Sequence, residues 1–131
     1  MDSNSFGRDE KLKSRKQIER LFREGKSIRQ YPVMLVWIES DRVESIPVQT
    51  GFVVSKRNFK RAVDRNKIKR QMREVFRTHK HGLYEAVGGK GMTIDLMWIY
   101  TGKDHPEFKE LTDKISAVLE RFANGIQSSQ S

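Results

Sequence analysis

The segment from Lys60 to Arg77, KRAVDRNKIKRQMREVFR, dictates much of what this chain can become. Wound as an α-helix, it places Ile68, Met72, Val75 and Phe76 on one side, at the spacing of a single apolar stripe. That side must be covered by a core. Asn66, Lys69, Arg70, Arg73 and Arg77 fall opposite and must face outward. A fold containing this helix therefore needs an apolar layer beneath it and open space above it.

The outward side is far more basic than solubility requires. Between Lys56 and Lys80, eleven Lys and Arg stand against two acids, Asp64 and Glu74, so the window carries +9. That equals the net charge of the whole chain, and elsewhere fifteen basic residues balance fifteen acidic ones. Ordinary solvated surfaces intersperse the two signs. Uncompensated like charge destabilises the free protein and is relieved when phosphates neutralise it. Arginine adds a planar fork that binds phosphate bidentately and stacks on bases, and Asn66 can donate to phosphate or ribose or read a base edge. A membrane-surface helix would expose Trp, Phe or Leu, whereas the apolar side here is needed for the core. The expected partner is nucleic acid, with no membrane.

The remaining sequence supplies the core. A chain of 131 residues fits one domain, expected over 11–124, with disordered tails at 1–10 and 125–131. In SRKQIERLFREG, Ser14 and Gln17 have capping-box spacing, Ile18, Leu21 and Phe22 share a helical face, and Gly25 suits a left-handed stop, predicting a helix over 15–24. YPVMLVWIES and TGFVVS read as strands, with RVESIPVQ between them as a short or irregular edge strand around Pro47. GLYEAVGGKG, at 82–91, reads as a turn region, and its GGKG lacks the spacing of a phosphate-binding loop. In MTIDLMWIY, Met92, Ile94, Leu96, Trp98 and Tyr100 share one strand face, which puts Asp95 on the other, expected to be solvated. Pro106 then opens a last helix whose stripe is Phe108, Leu111, Ile115, Val118, Leu119 and Phe122. The order α-β-β-β-α-β-α predicts an α+β fold, a compact two-layer α/β sandwich.

Catalytic inventory is sparse. The chain has no cysteine, hence no disulfide, thiolate nucleophile or thiolate metal site, which is compatible with a reducing cytosol. The longest apolar runs, at 33–38 and 96–100, fall well short of the ~20 residues that span a bilayer, so a cytoplasmic protein is expected. His79 and His81 sit beside a glycine at an expected helix end, where positive charge is simply favourable, and His105 stands alone. No carboxylates cluster at metal-ligand spacing, so no catalytic or metal residue is assigned. The residues describe a binder rather than a free-standing enzyme.

FVVSKRNFKR followed by AVDRNKIKRQMREVFR closely resembles the basic motif of the bacterial ribonuclease P protein component, in which a Val-Ser-Lys strand end leads into Arg-Asn-Arg/Lys-Ile-Lys-Arg on a helix. LKSRKQIERLFREGKS resembles that family's N-terminal segment, its Phe-x-x-Gly ending reproduced at Phe22 and Gly25. The likeness runs in order over about 12–123. It implies a four-stranded sheet with a left-handed βαβ crossover. It also implies a role in tRNA maturation, in which the protein binds the catalytic RNA and the 5′ leader of precursor tRNA. The ribonucleoprotein, an endoribonuclease, then removes the leader, with Mg2+ held mainly by the RNA and the protein alone inactive. No protein oligomer is required.

Matched position by position, Arg65, Asn66, Lys67, Lys69, Arg70 and Arg73 correspond to the RNA-contacting motif, with Lys56, Arg57 and Lys60 at its entrance and Arg61 and Arg77 extending the charge. The family's leader groove lies between first helix, sheet and basic helix. Phe22, Tyr31, Trp37 and Phe52 are the candidates for its aromatic floor, and Ser55 for its edge. Two departures stand out: Ile18 occupies a place where the family often has a second aromatic, and RNFKRAVDRN replaces the common Gly-Asn-Ala form, adding Lys60 and Arg61. The alternative is a general RNA-binding module, ribosomal or chaperone-like, with no cleavage role.

Overall fold

The structure, a computed structural model, describes residues 6–41 and 46–128. A 3-10 turn at Arg8–Glu10 precedes α1 (Arg15–Glu24), β1 (Lys26–Gln30), β2 (Val33–Glu39), β3 (Val48–Val54), α2 (Ala62–His79), α3 (His81–Gly89), β4 (Ile94–Tyr100) and α4 (Phe108–Ser128). The strands form one sheet in the order β1-β2-β4-β3. β1 pairs with β2 and β2 with β4 antiparallel, while β3 runs parallel to β4. A parallel neighbour cannot be reached by a hairpin, and α2 with α3 supplies the crossover. This is the expected α+β sandwich, with the four strands that the resemblance implied. Among the described residues, no helix is long and apolar enough to cross a membrane.

Strand alternation gives the sheet two different faces. On one, Val33 and Leu35 of β2, Ile94, Leu96, Trp98 and Tyr100 of β4, and Val48 and Val54 of β3 pack against Ile68, Met72, Val75 and Phe76 of α2 and Leu111, Ile115 and Val118 of α4. The predicted apolar side of α2 is wholly buried there. On the other face, Val36 and Met97 join Leu12 and Leu21 in a smaller cluster under α1. Burying one Leu or Phe side chain stabilises by about 1.5–3 kcal/mol, so most of the stabilisation resides in the first face.

Several elements differ from the sequence reading. Lys26–Gln30 forms β1, which its polar sequence KSIRQ conceals because only Ile28 is even half-buried. The expected turn region at 82–91 is largely α3: Leu83, Ala86 and Val87 recur at helical spacing and are buried, so tertiary packing overrides glycine's poor helix propensity. Only Gly91, at φ +65°, takes the left-handed turn into β4. α1 spans the predicted residues, and the Gln17 amide donates to Ser14 Oγ at 3.3 Å. Gly25 is not left-handed but extended, at φ −71° and ψ 159°. Glycine is required there by close approach, since a Cβ would lie 2.4 Å from the Leu21 carbonyl oxygen and 3.0 Å from that of Trp37.

The expected N-terminal tail is folded from residue 6. Phe6 packs edge-on against Phe52 and Phe76, and Glu10 receives hydrogen bonds from Lys80 Nζ at 2.5 Å and Tyr84 Oη at 2.6 Å. Residues 1–5 lie outside the described residues, as do 42–45 of the expected edge strand and 129–131 of the expected C-terminal tail. α4 runs through 125–128, which fall in the expected disordered C-terminal tail. Asp95, expected to be solvated, is buried under α1, where Gln17 Nε2 donates to its Oδ2 at 3.4 Å. Phe108 leaves the stripe of α4 and is 47% exposed.

Candidate nucleic-acid interface

The register fixes where an extended chain can lie. Leu12 N donates to the Thr50 carbonyl oxygen at 3.0 Å, and Leu12 and Leu21 pack with Val36 and Met97, so α1 crosses the sheet over the row Gly51–Met97–Val36. The next row toward the far end on that face is Val53–Ile99–Met34–Arg29. Its three apolar members are half-buried, and Arg29 at the sheet edge is exposed. Ile18 of α1 packs beside them, and Phe22, one turn further along α1, is 50% exposed. The result is a shallow aliphatic trough walled on one side by α1.

The basic segment begins at the open end of this trough. Val54, Tyr100 and Val33 lie side by side, so the β1–β2 turn bearing Tyr31 and the loop from Ser55 to α2 leave the sheet at the same end. That loop is firmly built. Ser55 Oγ accepts from Arg57 N at 3.1 Å, and Asn58 Nδ2 donates to the carbonyl oxygens of Thr101 and Gly102 at 3.5 and 3.3 Å. Arg65 Nη1 donates to the carbonyl oxygens of Phe59 and Lys60 at 2.8 and 2.9 Å. Phe59 is buried against Tyr100, whose hydroxyl donates to the Asp104 carbonyl oxygen; burial pushes that phenol up to about 12. Lys56, Arg57 and Lys60 remain exposed, and Arg61, the N-cap of α2, makes no side-chain capping bond. The helix N-terminus and these cations together present an anion-binding end.

Along α2 the candidate cations divide. Lys67, Arg70 and Asn66 are exposed and Lys69 is half-buried, and among the described residues Lys67, Lys69 and Arg70 have no ion-pair partner. Arg73 lies over the Phe52 ring at 5.7 Å. Arg61 is paired with Asp64 at 3.2 Å and Arg77 with Glu74 at 2.5 Å, and each arginine holds its carboxylate below the ordinary value. Arg77 is thus largely neutralised within the protein, and Arg65 is a brace of the loop as much as an outward contact.

The aromatic candidates are not brought together. Phe22 borders the trough, and Tyr31, 69% exposed, stands at its open end, where Arg29, Tyr31, Val33, Met34 and Thr101 line a cavity of about 490 Å³. Trp37 and Phe52 must be corrected: strand alternation puts both on the opposite face, Trp37 against Phe122 and Phe52 against Phe6 and Phe76. Neither can floor a groove beside α1. Sequence reasoning favoured them as aromatics and overlooked Met34, Val53 and Ile99. The alternation that separated the faces of β4 would have found these three once applied to β2 and β3.

Among the described residues, no three His, Asp or Glu side chains converge. The carboxylates nearest the basic surface, Asp64 and Glu74, are each committed to an arginine, and His105 Nε2 lies 3.2 Å from Asp64 Oδ1. Among the described residues no side chains are grouped to hold a magnesium ion, and no step is assigned to one.

Comparison with known proteins places the chain in a family. The sequence matches the family model described as Ribonuclease P over residues 6–123. The chain belongs to the ribonuclease P protein family. It is 28% identical over 127 residues to the ribonuclease P protein component of Porphyromonas gingivalis, covering 95% of this chain and 93% of that one. To the component from Chlorobium phaeobacteroides it is 32% identical over 126 residues, covering 88% and 86%. The solved ribonuclease P protein of Thermotoga maritima superimposes with a TM-score of 0.68 at 25% identity, covering 86% of this chain and 96% of that chain. As a ribonuclease P protein component, the chain is part of a tRNA-processing ribonucleoprotein, with RNA as its partner.

Proposed function

We propose that this chain binds the catalytic RNA of ribonuclease P through α2 and the Ser55–Arg61 loop, and seats the 5′ leader of precursor tRNA in the trough beside α1. The observation that carries this reading is the continuity of the two surfaces: the row Val53–Ile99–Met34 opens at the end of the sheet from which the basic loop departs. Lys56, Arg57, Lys60, Lys67 and Arg70 neutralise phosphates, and the loop braced by Arg65 and Asn58 keeps them in place without reorganisation on binding. The trough offers apolar contact along its floor and one stacking ring, Phe22, in place of an aromatic floor.

On this reading the protein supplies position and charge. The RNA holds the Mg2+ and performs the hydrolysis, and the protein lowers the magnesium needed by reducing phosphate repulsion. The test is precursor-tRNA cleavage by a bacterial ribonuclease P RNA at low magnesium, with and without the protein, plus a protein-only control. Stimulation confined to mixtures containing the RNA is expected. Cleavage by protein alone, or no stimulation, would overturn the reading; equal affinity for precursor and mature tRNA would favour a general RNA binder.

A further inference from the structure

Trp37, excluded from the trough, lines a different opening. A cavity of about 420 Å³ lies between the start of β1, the α3–β4 turn and the C-terminal half of α4. Its floor is apolar, built from Ile28, Trp37, Met92, Phe122 and Ile126. Its rim carries three cations from three separate elements, Lys26, Lys90 and Arg121, and among the described residues no acid lines it. Charges elsewhere than the basic segment balance overall, so three cations converging on one apolar opening depart from the rest of the surface. Trp37 is half-buried there, its ring centroid 4.9 Å from that of Phe122, with Lys26 Nζ 5.6 Å from its own centroid.

We propose that this cavity is a second RNA contact, taking one unstacked nucleobase against Trp37 and Phe122 while its flanking phosphates lie on Lys26, Lys90 and Arg121. An indole face beside fixed cations is the pairing that single-stranded nucleic acid offers in complement, a π-face next to a phosphate. The volume is within the range that accommodates a small planar ligand, roughly 300–1,000 Å³. The site is also distinct from the basic helix. α2 packs over β3, whereas the cavity lies at the β1 edge, and Lys26 and Met92 mark the end of the sheet opposite to Ser55. A different stretch of RNA must fill it. The proposal rests on the family's RNA partner and is independent of where the leader lies.

The experiment is tryptophan fluorescence of the full chain titrated with a short single-stranded oligouridylate. Trp98 is fully buried, so quenching reports Trp37. Saturable quenching is expected in the wild type. It should weaken about tenfold in Lys26→Glu/Arg121→Glu, whose exposed side chains can change without unfolding the protein, and vanish in Trp37→Phe. Arg70→Ala on α2 should leave it within twofold. Four results would overturn the proposal: quenching unchanged in the double variant, quenching retained in Trp37→Phe, quenching abolished by Arg70→Ala, or none at concentrations that saturate binding by anisotropy. Equal quenching by polyglutamate would also overturn it, leaving an unselective anion site. If the ribonuclease P reading alone fails, oligouridylate still quenches while cleavage is not stimulated.

Discussion

On the face of the sheet beneath α2 and α4, Leu35, Leu96 and Trp98 are wholly buried, whereas on the opposite face Met34, Val53 and Ile99, drawn from the same strands, are only half covered. Both sets are apolar, so hydrophobicity alone does not mark which is core. Coverage decides: the first face has three helices over it and the second has the ten residues of α1 across one end. On the proposed function, the binding surface is a core left unfinished, placed next to the charge that would recruit its ligand.

The contrast can be broken most forcefully on the closed face. Phe76→Ala removes a wholly buried ring that contacts Phe6, Phe52, Tyr84 and Trp98, and should cost about 3–5 kcal/mol in urea unfolding. Phe22→Ala on the open face should change stability by less than about 0.5 kcal/mol. Equal losses would erase the distinction between the two faces.

Next in size is the buried ion pair that ties the N-terminal turn to α2 and α3. Lys80 is 3% exposed, and removing its carboxylate by Glu10→Ala should cost about 3 kcal/mol, read by the same unfolding curves. Burial acts to raise the Glu10 carboxyl, but hydrogen bonds from Lys80, Tyr84 and Gly7 N together hold it below its ordinary value of 4.5. A depressed folded-state value means the stabilisation is complete above pH 4.5 and fades as pH falls through the folded value. The melting temperature of the wild type should therefore drop in that acid window, and Glu10→Gln should flatten the drop.

The smallest expected effects separate cations within α2. Arg70→Ala removes an exposed charge without an ion-pair partner among the described residues and should reduce the slope of log affinity against log salt by about 1 in RNA binding. Arg77→Ala, already neutralised by Glu74, should change the slope by less than half of that. Identical slopes would show that internal pairing does not matter to the interface.

Much of this was legible in the sequence. The period of 3.6 residues placed Ile68, Met72, Val75 and Phe76 on the core, and the alternation in β4 put Trp98 and Tyr100 there. What stayed hidden depended on partners distant in the chain. KSIRQ pairs as β1 because β2 offers it an edge, and α3 forms on glycines because α4 covers Leu83 and Val87. Phe52 and Trp37 looked like stacking residues until register assigned them a face, and the row Val53–Ile99–Met34 requires three strands to be aligned before it exists. Asp95 drew a polar reading from its side chain, yet Gln17, seventy-eight residues away, covers it.

The most direct test of the two-face account is the affinity for leader-bearing precursor relative to mature tRNA, measured in the presence of ribonuclease P RNA for wild type, Phe22→Ala and Phe52→Leu. A preference for the precursor that falls about tenfold in Phe22→Ala and persists in Phe52→Leu is the predicted result. A preference untouched by Phe22→Ala but lost in a folded Phe52→Leu would place the leader on the other face and contradict the account.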